Sequence, residues 1–296
     1  MNYLNTYRVV TALVTPFHQE GSLDKASLAK LIKMQEGAGN VILLLGSTGE
    51  GLALSLEQKK AVLEAVFALK PTVPVIIGVG GFQLEEQIAW IRYCQENYPV
   101  AGFLLVTPLY AKPGVQGQIA WFKALMDSST LPCIPYNIPG RSAVKMLFPV
   151  AEAIKNHPNL LGLKEASGNL EEFSQFVHIL NKHLIYSGCD ELLKEHLARG
   201  GFGVISVASN VWPKETQHYL KLCLQGQNTK AQDALWIEAS NALFLASNPI
   251  PLKVLLQYEG VIAHATLLPP LTELDLSEVD KEKLCQLSAK IHKELA

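Results

Sequence analysis

What is scarce in this chain removes several classes of function at once. Only five of the 296 residues are cysteine (Cys94, Cys133, Cys189, Cys223 and Cys285), an odd number, widely scattered and without a CxxC pair. That spacing supports neither a disulfide framework nor a thiolate zinc site. The eight histidines are just as dispersed, and those in helix-like or loop segments, such as His178 and His196, read as solvated or structurally satisfied. No metal is expected. Runs of Lys/Arg are absent and the formal net charge is −2, so the chain has no electrostatic footprint for nucleic acid. Its longest apolar stretches are strand-length and broken by Gly, Pro or charge, well short of the ~20 residues of a spanning helix. The start, Met1-Asn2-Tyr3-Leu4-Asn5-Thr6-Tyr7-Arg8, lacks the basic-then-apolar pattern of a secretory signal. A cytoplasmic protein with neither a nucleic-acid nor a membrane partner is expected.

What is present is an alternation. Short apolar, β-branched runs (Val9–Thr15, Val41–Gly46, Val73–Val79, Gly102–Thr107, Cys133–Asn137, Leu160–Lys164, Leu184–Gly188, Gly203–Val207) take turns with segments of helical period. The helical segments are Asp24–Glu36, Leu56–Leu69, Leu84–Glu96, Gln116–Ser128, Leu170–Leu180 and Glu191–Arg199. In the fifth of these, Leu170, Phe173, Val177 and Leu180 fall on one face. Eight such units fit an α/β fold, the (β/α)8 TIM barrel of about 250 residues. A doubly wound open sheet would need the strands split into two sets, and no such break is visible. From Trp212 onward the pattern is helical only, over Lys214–Leu224, Thr229–Leu245, Pro251–Tyr258 and Leu276–Leu295. The expected organisation is therefore a barrel over residues 1–211 and a C-terminal helical extension over 212–296, which could cover the barrel or build a subunit interface.

Chemistry in such a barrel gathers at the C-terminal strand ends. Lys164 stands there, inside the apolar run Leu160-Leu161-Gly162-Leu163-Lys164-Glu165-Ala166-Ser167. Desolvating an ammonium lowers its pKa, and a neutral amine is what attacks a carbonyl to form a Schiff base. The plainer alternative is a strand-end lysine whose stem snorkels out to water. Gly46-Ser47-Thr48-Gly49-Glu50 offers two hydroxyls and several N–H donors; alone it reads equally as a turn with a helix cap. It is no P-loop, since the GK[ST] ending is missing and Glu50 would repel phosphate. Tyr110 ends Thr107-Pro108-Leu109-Tyr110, and Tyr136 lies in Pro135-Tyr136-Asn137-Ile138-Pro139-Gly140-Arg141-Ser142. Their hydroxyls, with that of Thr48, could pass protons to a reacting centre, although a lone tyrosine at a strand end usually packs. Arg141 could present its fork to a carboxylate, or be a surface loop arginine. Gly78-Val79-Gly80-Gly81 is a tight turn, and Cys189, with no His partner, a loop residue.

Taken in order, GSTGE (46–50), TPLY (107–110), PYNIPGRS (135–142), GLKEASGN (162–169), SGCD (187–190), GVISVASN (203–210) and SNPIPLK (247–253) resemble the pyruvate-dependent class I aldolase and lyase superfamily. Within it they are most similar to the dihydrodipicolinate synthase family, over essentially the whole chain. The resemblance implies that Lys164 forms an imine with pyruvate, and that the derived enamine attacks L-aspartate 4-semialdehyde. No cofactor is implied beyond that covalent imine. It also implies that Tyr136 transfers protons and Thr48 links it to Tyr110. Ser47 and Thr48 would hold the pyruvate carboxylate, Gly188 and Ile205 line the pocket, and Arg141 meets the second substrate. The tyrosine matching Tyr110 comes from a neighbouring subunit, implying a dimer and commonly a homotetramer of two dimers. N-acetylneuraminate lyase and 2-keto-3-deoxy sugar-acid aldolases share parts of the pattern, and a noncatalytic keto-acid-binding barrel is the reading from another class. Ser47 departs from the threonine of many synthases, whereas Arg141 and SNPIPLK favour the synthase. Positions where lysine-sensitive members carry ligand-binding groups hold Leu56, Lys59, Phe82, Glu86 and Leu109, of which only Glu86 persists. Weak or absent inhibition by L-lysine is therefore expected.

Overall fold

Residues 3–295 are described by the computed structural model. In it the alternating runs become strand and helix in turn. The order is β1 (Val9–Ala12), α1 (Lys25–Ala38), β2 (Val41–Leu44), α2 (Leu56–Ala68), β3 (Val75–Val79), α3 (Leu84–Asn97), β4 (Gly102–Val106) and α4 (Val115–Asp127). There follow β5 (Cys133–Asn137), the single turn α5 (Pro139–Ser142), α6 (Phe148–Ile154), β6 (Gly162–Glu165), α7 (Leu170–Ile179), β7 (Leu184–Ser187), α8 (Leu193–Ala198) and β8 (Gly203–Ser206). Four helices complete the chain: α9 (Pro213–Gln225), α10 (Lys230–Ala242), α11 (Ile250–Tyr258) and α12 (Glu278–Glu294). The strands close in sequence order into one barrel, as the alternation predicts. A parallel sheet is covered on both faces, which is why its strands are largely apolar rather than alternating. All four residues of β2 and all five of β5 are buried.

The chain divides into two compact units, one holding residues up to Arg8 with Pro74–Ile205 and the other Val9–Val73 with the chain from Ser206 onward. In the first, the register sets Phe103 against Cys133, Tyr136 against Lys164, and Lys164 against Tyr186. In the second, Val10, Thr11 and Ala12 pair with Val41, Ile42 and Leu43. Several helix starts are set by polar caps. Asp24 accepts from the N–H groups of Ala26 and Ser27, Ser55 and Gln58 form a reciprocal box, and Asn169 caps α7. Among the described residues no helix is long and apolar enough to cross a membrane.

Two departures from the sequence reading have physical causes. The apolar run Val9–Thr15 is strand only to Ala12: the Leu13 N–H still donates to the Leu43 carbonyl at 2.9 Å, but the Val14 N–H donates to the side chain of Asn210 at 3.0 Å instead of to a strand. Phe148–Ile154 is a helix where none is expected from the sequence; only seven residues long and with proline in its first turn, it shows too little periodicity to read.

The second unit also buries an ion pair. Lys253 on α11 is fully buried and donates to Glu50, whose other oxygen accepts the N–H of Leu268 at 2.7 Å. The ammonium also donates to the carbonyl of Thr266 at 2.8 Å and lies 4.3 Å from the centroid of the Phe17 ring. Burial pulls the Lys253 pKa down while Glu50 pulls it back up. Deleting one partner strands the other charge without water. Lys253→Met should therefore lower unfolding stability by ~3–5 kcal/mol in urea titrations, and adding Glu50→Gln should restore a large part of the loss. A Lys253→Met chain as stable as wild type would show that the pair does not hold this region.

Candidate active site

Lys164 is the third of the four residues of β6, one before its end at Glu165. Its side chain does not snorkel to water: the residue is 5% exposed, and Nζ lies over the face of the Tyr136 ring, 4.3 Å from its centroid. Tyr136, on the neighbouring strand and in register, is equally buried. Desolvation is the main influence on the amine. It lowers the pKa to about 8, against the opposing pull of the Asp190 carboxylate and with help from the Arg141 guanidinium. At pH 7 about a tenth of the side chain is then free amine, roughly 300-fold more than for a lysine in water. An amine in this state can attack a carbonyl.

The loop after β7 shapes the space around that amine. A Cβ on Gly188 would lie 2.5 Å from Cβ of Ala166 and 2.9 Å from Cε of Lys164, so no larger residue fits without displacing the lysine. Burial pushes the Cys189 thiol up to about 12, which leaves it protonated and makes it the loop residue that the sequence suggests. Beside Lys164 on the strand, Glu165 accepts from Asn137 Nδ2 at 2.6 Å and from the Ser167 N–H at 2.7 Å. Burial nevertheless raises its pKa. Asn137 in turn accepts the Met146 N–H at 2.9 Å, so this asparagine ties β5 to β6 and to the segment beyond α5.

Arg141 is exposed on the single turn α5, just before that segment. The carbonyl of Ser142 accepts the N–H of Tyr110 at 3.4 Å, joining the two loops. Tyr110 itself has φ +65° and is 89% exposed. A tyrosine in the left-handed region costs of order 1–3 kcal/mol, and here the ring goes into solvent instead of a core. Ile205 is fully buried on β8.

Ser47 and Thr48 belong to the second unit, in the turn after β2. Leu45 at φ +59° and Glu50 at φ +54° bracket it, and Gly51 is required because a Cβ there would meet the Leu45 carbonyl at 2.0 Å. The turn caps no helix: α2 begins later and is capped by Ser55. Ser47 is half-buried, while Thr48 is buried and its hydroxyl accepts from Asn248 Nδ2 at 2.9 Å. Lys164, Tyr136 and Gly188 are thus brought together with the charges of Asp190 and Arg141, and Tyr110 stands out from them. Sequence reasoning gave no role to Asn137, Asn248, Lys253 or the buried His196. For the two asparagines and Lys253 the signal was their place inside YNIP and SNPIPLK.

Comparison with known proteins places this geometry in a family. The model of the dihydrodipicolinate synthetase family matches residues 5–290. A 4-hydroxy-tetrahydrodipicolinate synthase of Francisella philomiragia is 43% identical over 272 residues, 92% of each chain. The structure of the chloride-inhibited dihydrodipicolinate synthase of Acinetobacter baumannii, complexed with pyruvate, superposes with a TM-score of 0.89 at 31% identity, covering 97% of this chain and 99% of that one. A monomeric dihydrodipicolinate synthase variant gives 0.86 at 31% identity over 100% and 99% of the two chains.

The depressed lysine predicts two linked measurements. Borohydride trapping of pyruvate should rise ~10-fold per pH unit below pH 8 and level off above it, because only the unprotonated amine reacts. Continued growth to pH 10 would mean an ordinary lysine. The unfolded chain keeps this proton up to the usual 10.5, so the penalty on the fold, about 3 kcal/mol, is complete below pH 8 and fades as pH rises from there. Lys164→Met should accordingly be more stable than wild type at pH 7, and lose that advantage toward pH 10.5.

Proposed function

This chain belongs to the dihydrodipicolinate synthetase family, and we propose that it condenses pyruvate with L-aspartate 4-semialdehyde to 4-hydroxy-tetrahydrodipicolinate, on the route to diaminopimelate and lysine. The observation that carries this reading is a buried lysine with its pKa near 8, packed against a tyrosine at a barrel strand end. Nζ of Lys164 attacks the keto carbon of pyruvate, and loss of water gives the imine. Loss of a methyl proton gives the enamine, whose carbon adds to the aldehyde. The amine of the semialdehyde then attacks the imine carbon, closing the ring and releasing Lys164. The covalent imine serves as electron sink, so no cofactor is called for.

Tyr136 is assigned the proton transfers, with Thr48 and Tyr110 as its relay. Ser47 and Thr48, with N–H groups of their turn, take the pyruvate carboxylate, while Gly188 and Ile205 line the pocket. Arg141, exposed and close enough to Lys164 to depress its pKa, takes the carboxylate of the second substrate. Tyr110 is strained and solvent-facing, which supports its donation to the site of a second copy, in a dimer or a tetramer of two dimers. The enzyme is placed in the cytoplasm. A purely binding barrel has no use for a depressed lysine, and the names of the similar proteins favour the synthase over N-acetylneuraminate lyase.

Initial rates with both substrates test the reading. Condensation of pyruvate with the semialdehyde should far outrun cleavage of N-acetylneuraminate, and the reverse order would assign the chain to the lyases. L-Lysine titrated into the same assay should leave more than half the rate at about a millimolar, a free energy of ~4 kcal/mol. Phe82 and Leu56 offer an amino acid only exposed apolar surface.

Subunit mixing tests the donation. Inactive Tyr110→Phe and Lys164→Arg chains, exchanged together, should regain part of the activity, because some hybrid sites receive both native groups. No recovery despite proven exchange would place the whole site in one chain.

A further inference from the structure

His196, on the short helix α8, reads from sequence as a solvated or satisfied histidine, but it is 1% exposed. Its ring stacks on Phe173 with centroids 3.8 Å apart and planes at 4°. Nδ1 lies 2.7 Å from the hydroxyl of Ser187, the last residue of β7. That hydroxyl already donates to the carbonyl of Cys189 at 2.7 Å and accepts the N–H of Cys189 at 3.1 Å. A serine has one proton and two lone pairs. Its proton is on the Cys189 carbonyl and one lone pair is on the Cys189 N–H, so only a lone pair is left for His196. Nδ1 must carry the hydrogen. Burial keeps the ring neutral at pH 7, its pKa held down to about 4, so Nε2 is bare. Nε2 is also buried without a hydrogen-bond partner.

Such an arrangement is unfavourable for the ring itself, since a buried acceptor goes unsatisfied. What it secures is the backbone of residues 187–189. Both polar groups of Cys189 are bound to Ser187, Ser187 is bound to His196, and the Gly188 N–H donates to the Glu165 carbonyl at 2.7 Å. Gly188, between them, is the residue whose missing Cβ leaves room for Cε of Lys164. A small displacement of this backbone would close the space into which the keto acid has to come.

We propose that His196 is a positioning residue for imine formation: its Nδ1–H, through Ser187, holds the Gly188–Cys189 backbone at the distance from Lys164 that admits pyruvate. The inference rests on Lys164 being the nucleophile. It assigns to His196 no contact with substrate and no proton transfer.

Two substitutions separate donor from ring. His196→Phe keeps a ring on Phe173 and loses the N–H; His196→Asn loses the ring and keeps an N–H where Nδ1 was. In His196→Phe the half-saturating pyruvate concentration, read by borohydride trapping and as KM, should rise about 5- to 20-fold, the loss of one hydrogen bond. The KM for the semialdehyde should change far less. His196→Asn should regain most of the pyruvate affinity while melting at a lower temperature than wild type. Affinity that follows the donor while stability follows the ring is the expected pattern. A folded His196→Phe with wild-type pyruvate affinity overturns the proposal, as does a folded His196→Asn no better than His196→Phe. With Ser187→Ala already present, His196→Phe should add nothing to the pyruvate effect; an undiminished further loss also overturns it. Nitrogen NMR of the wild-type ring decides the case if the variants do not fold: a protonated Nδ1 supports the proposal and a protonated Nε2 sinks it. Failure of the underlying reading would look different, as wild-type enzyme that traps pyruvate on another lysine or not at all.

Discussion

The chemistry proposed for this chain depends on keeping one lysine side chain out of water. Surface lysines are protonated almost completely at pH 7 and attack nothing. Lys164 differs from them in being buried, because β6 lies between two buried neighbours in a closed parallel sheet. Its neighbours are arranged to tolerate a neutral amine as readily as a charged one. The face of Tyr136 attracts the cation without demanding it, and the Asp190 carboxylate and Arg141 guanidinium act in opposite senses.

The second buried lysine shows the contrast. Lys253 is at least as inaccessible, yet it meets a carboxylate, a carbonyl and an aromatic ring, and so is held as a structural cation. Desolvation presses on both side chains. What differs is the partner each one finds, and with it whether the cost of burial goes into reactivity or into fastening a loop. The fastened loop is the one that carries Ser47 and Thr48, and Asn248 near the start of α11 adds a second tie to it through the Thr48 hydroxyl.

Most of the architecture is legible because strand and helix periods differ and the caps and glycines punctuate them. Lys164 stood out because a charge inside an apolar strand is conspicuous. Tyr110, Tyr136 and Arg141 were singled out by their place at strand ends or in the loops that follow them. Four features were hidden for definable reasons. The α6 helix is too short for its period to show. Glu50 and Lys253 looked like two ordinary charges 203 residues apart, and only the fold pairs them. His196 looked like one more helix histidine, because its burial comes from Phe173, on another helix. The left-handed backbone at Leu45, Glu50 and Tyr110 has no sequence signature at all, since none of these residues favours it.

The Glu50–Lys253 pair also places a timetable on biosynthesis. Glu50 leaves the ribosome 203 residues before its partner. At ~5–20 residues per second that is an interval of roughly 10–40 s. A carboxylate cannot enter a dry interior alone at an acceptable cost, so during that time the turn after β2 has to remain hydrated. The turn's final packing therefore waits for the tail of the chain. A nascent polypeptide that stalls after the eighth strand would carry all eight barrel strands and still lack the counter-ion that lets this turn dry out.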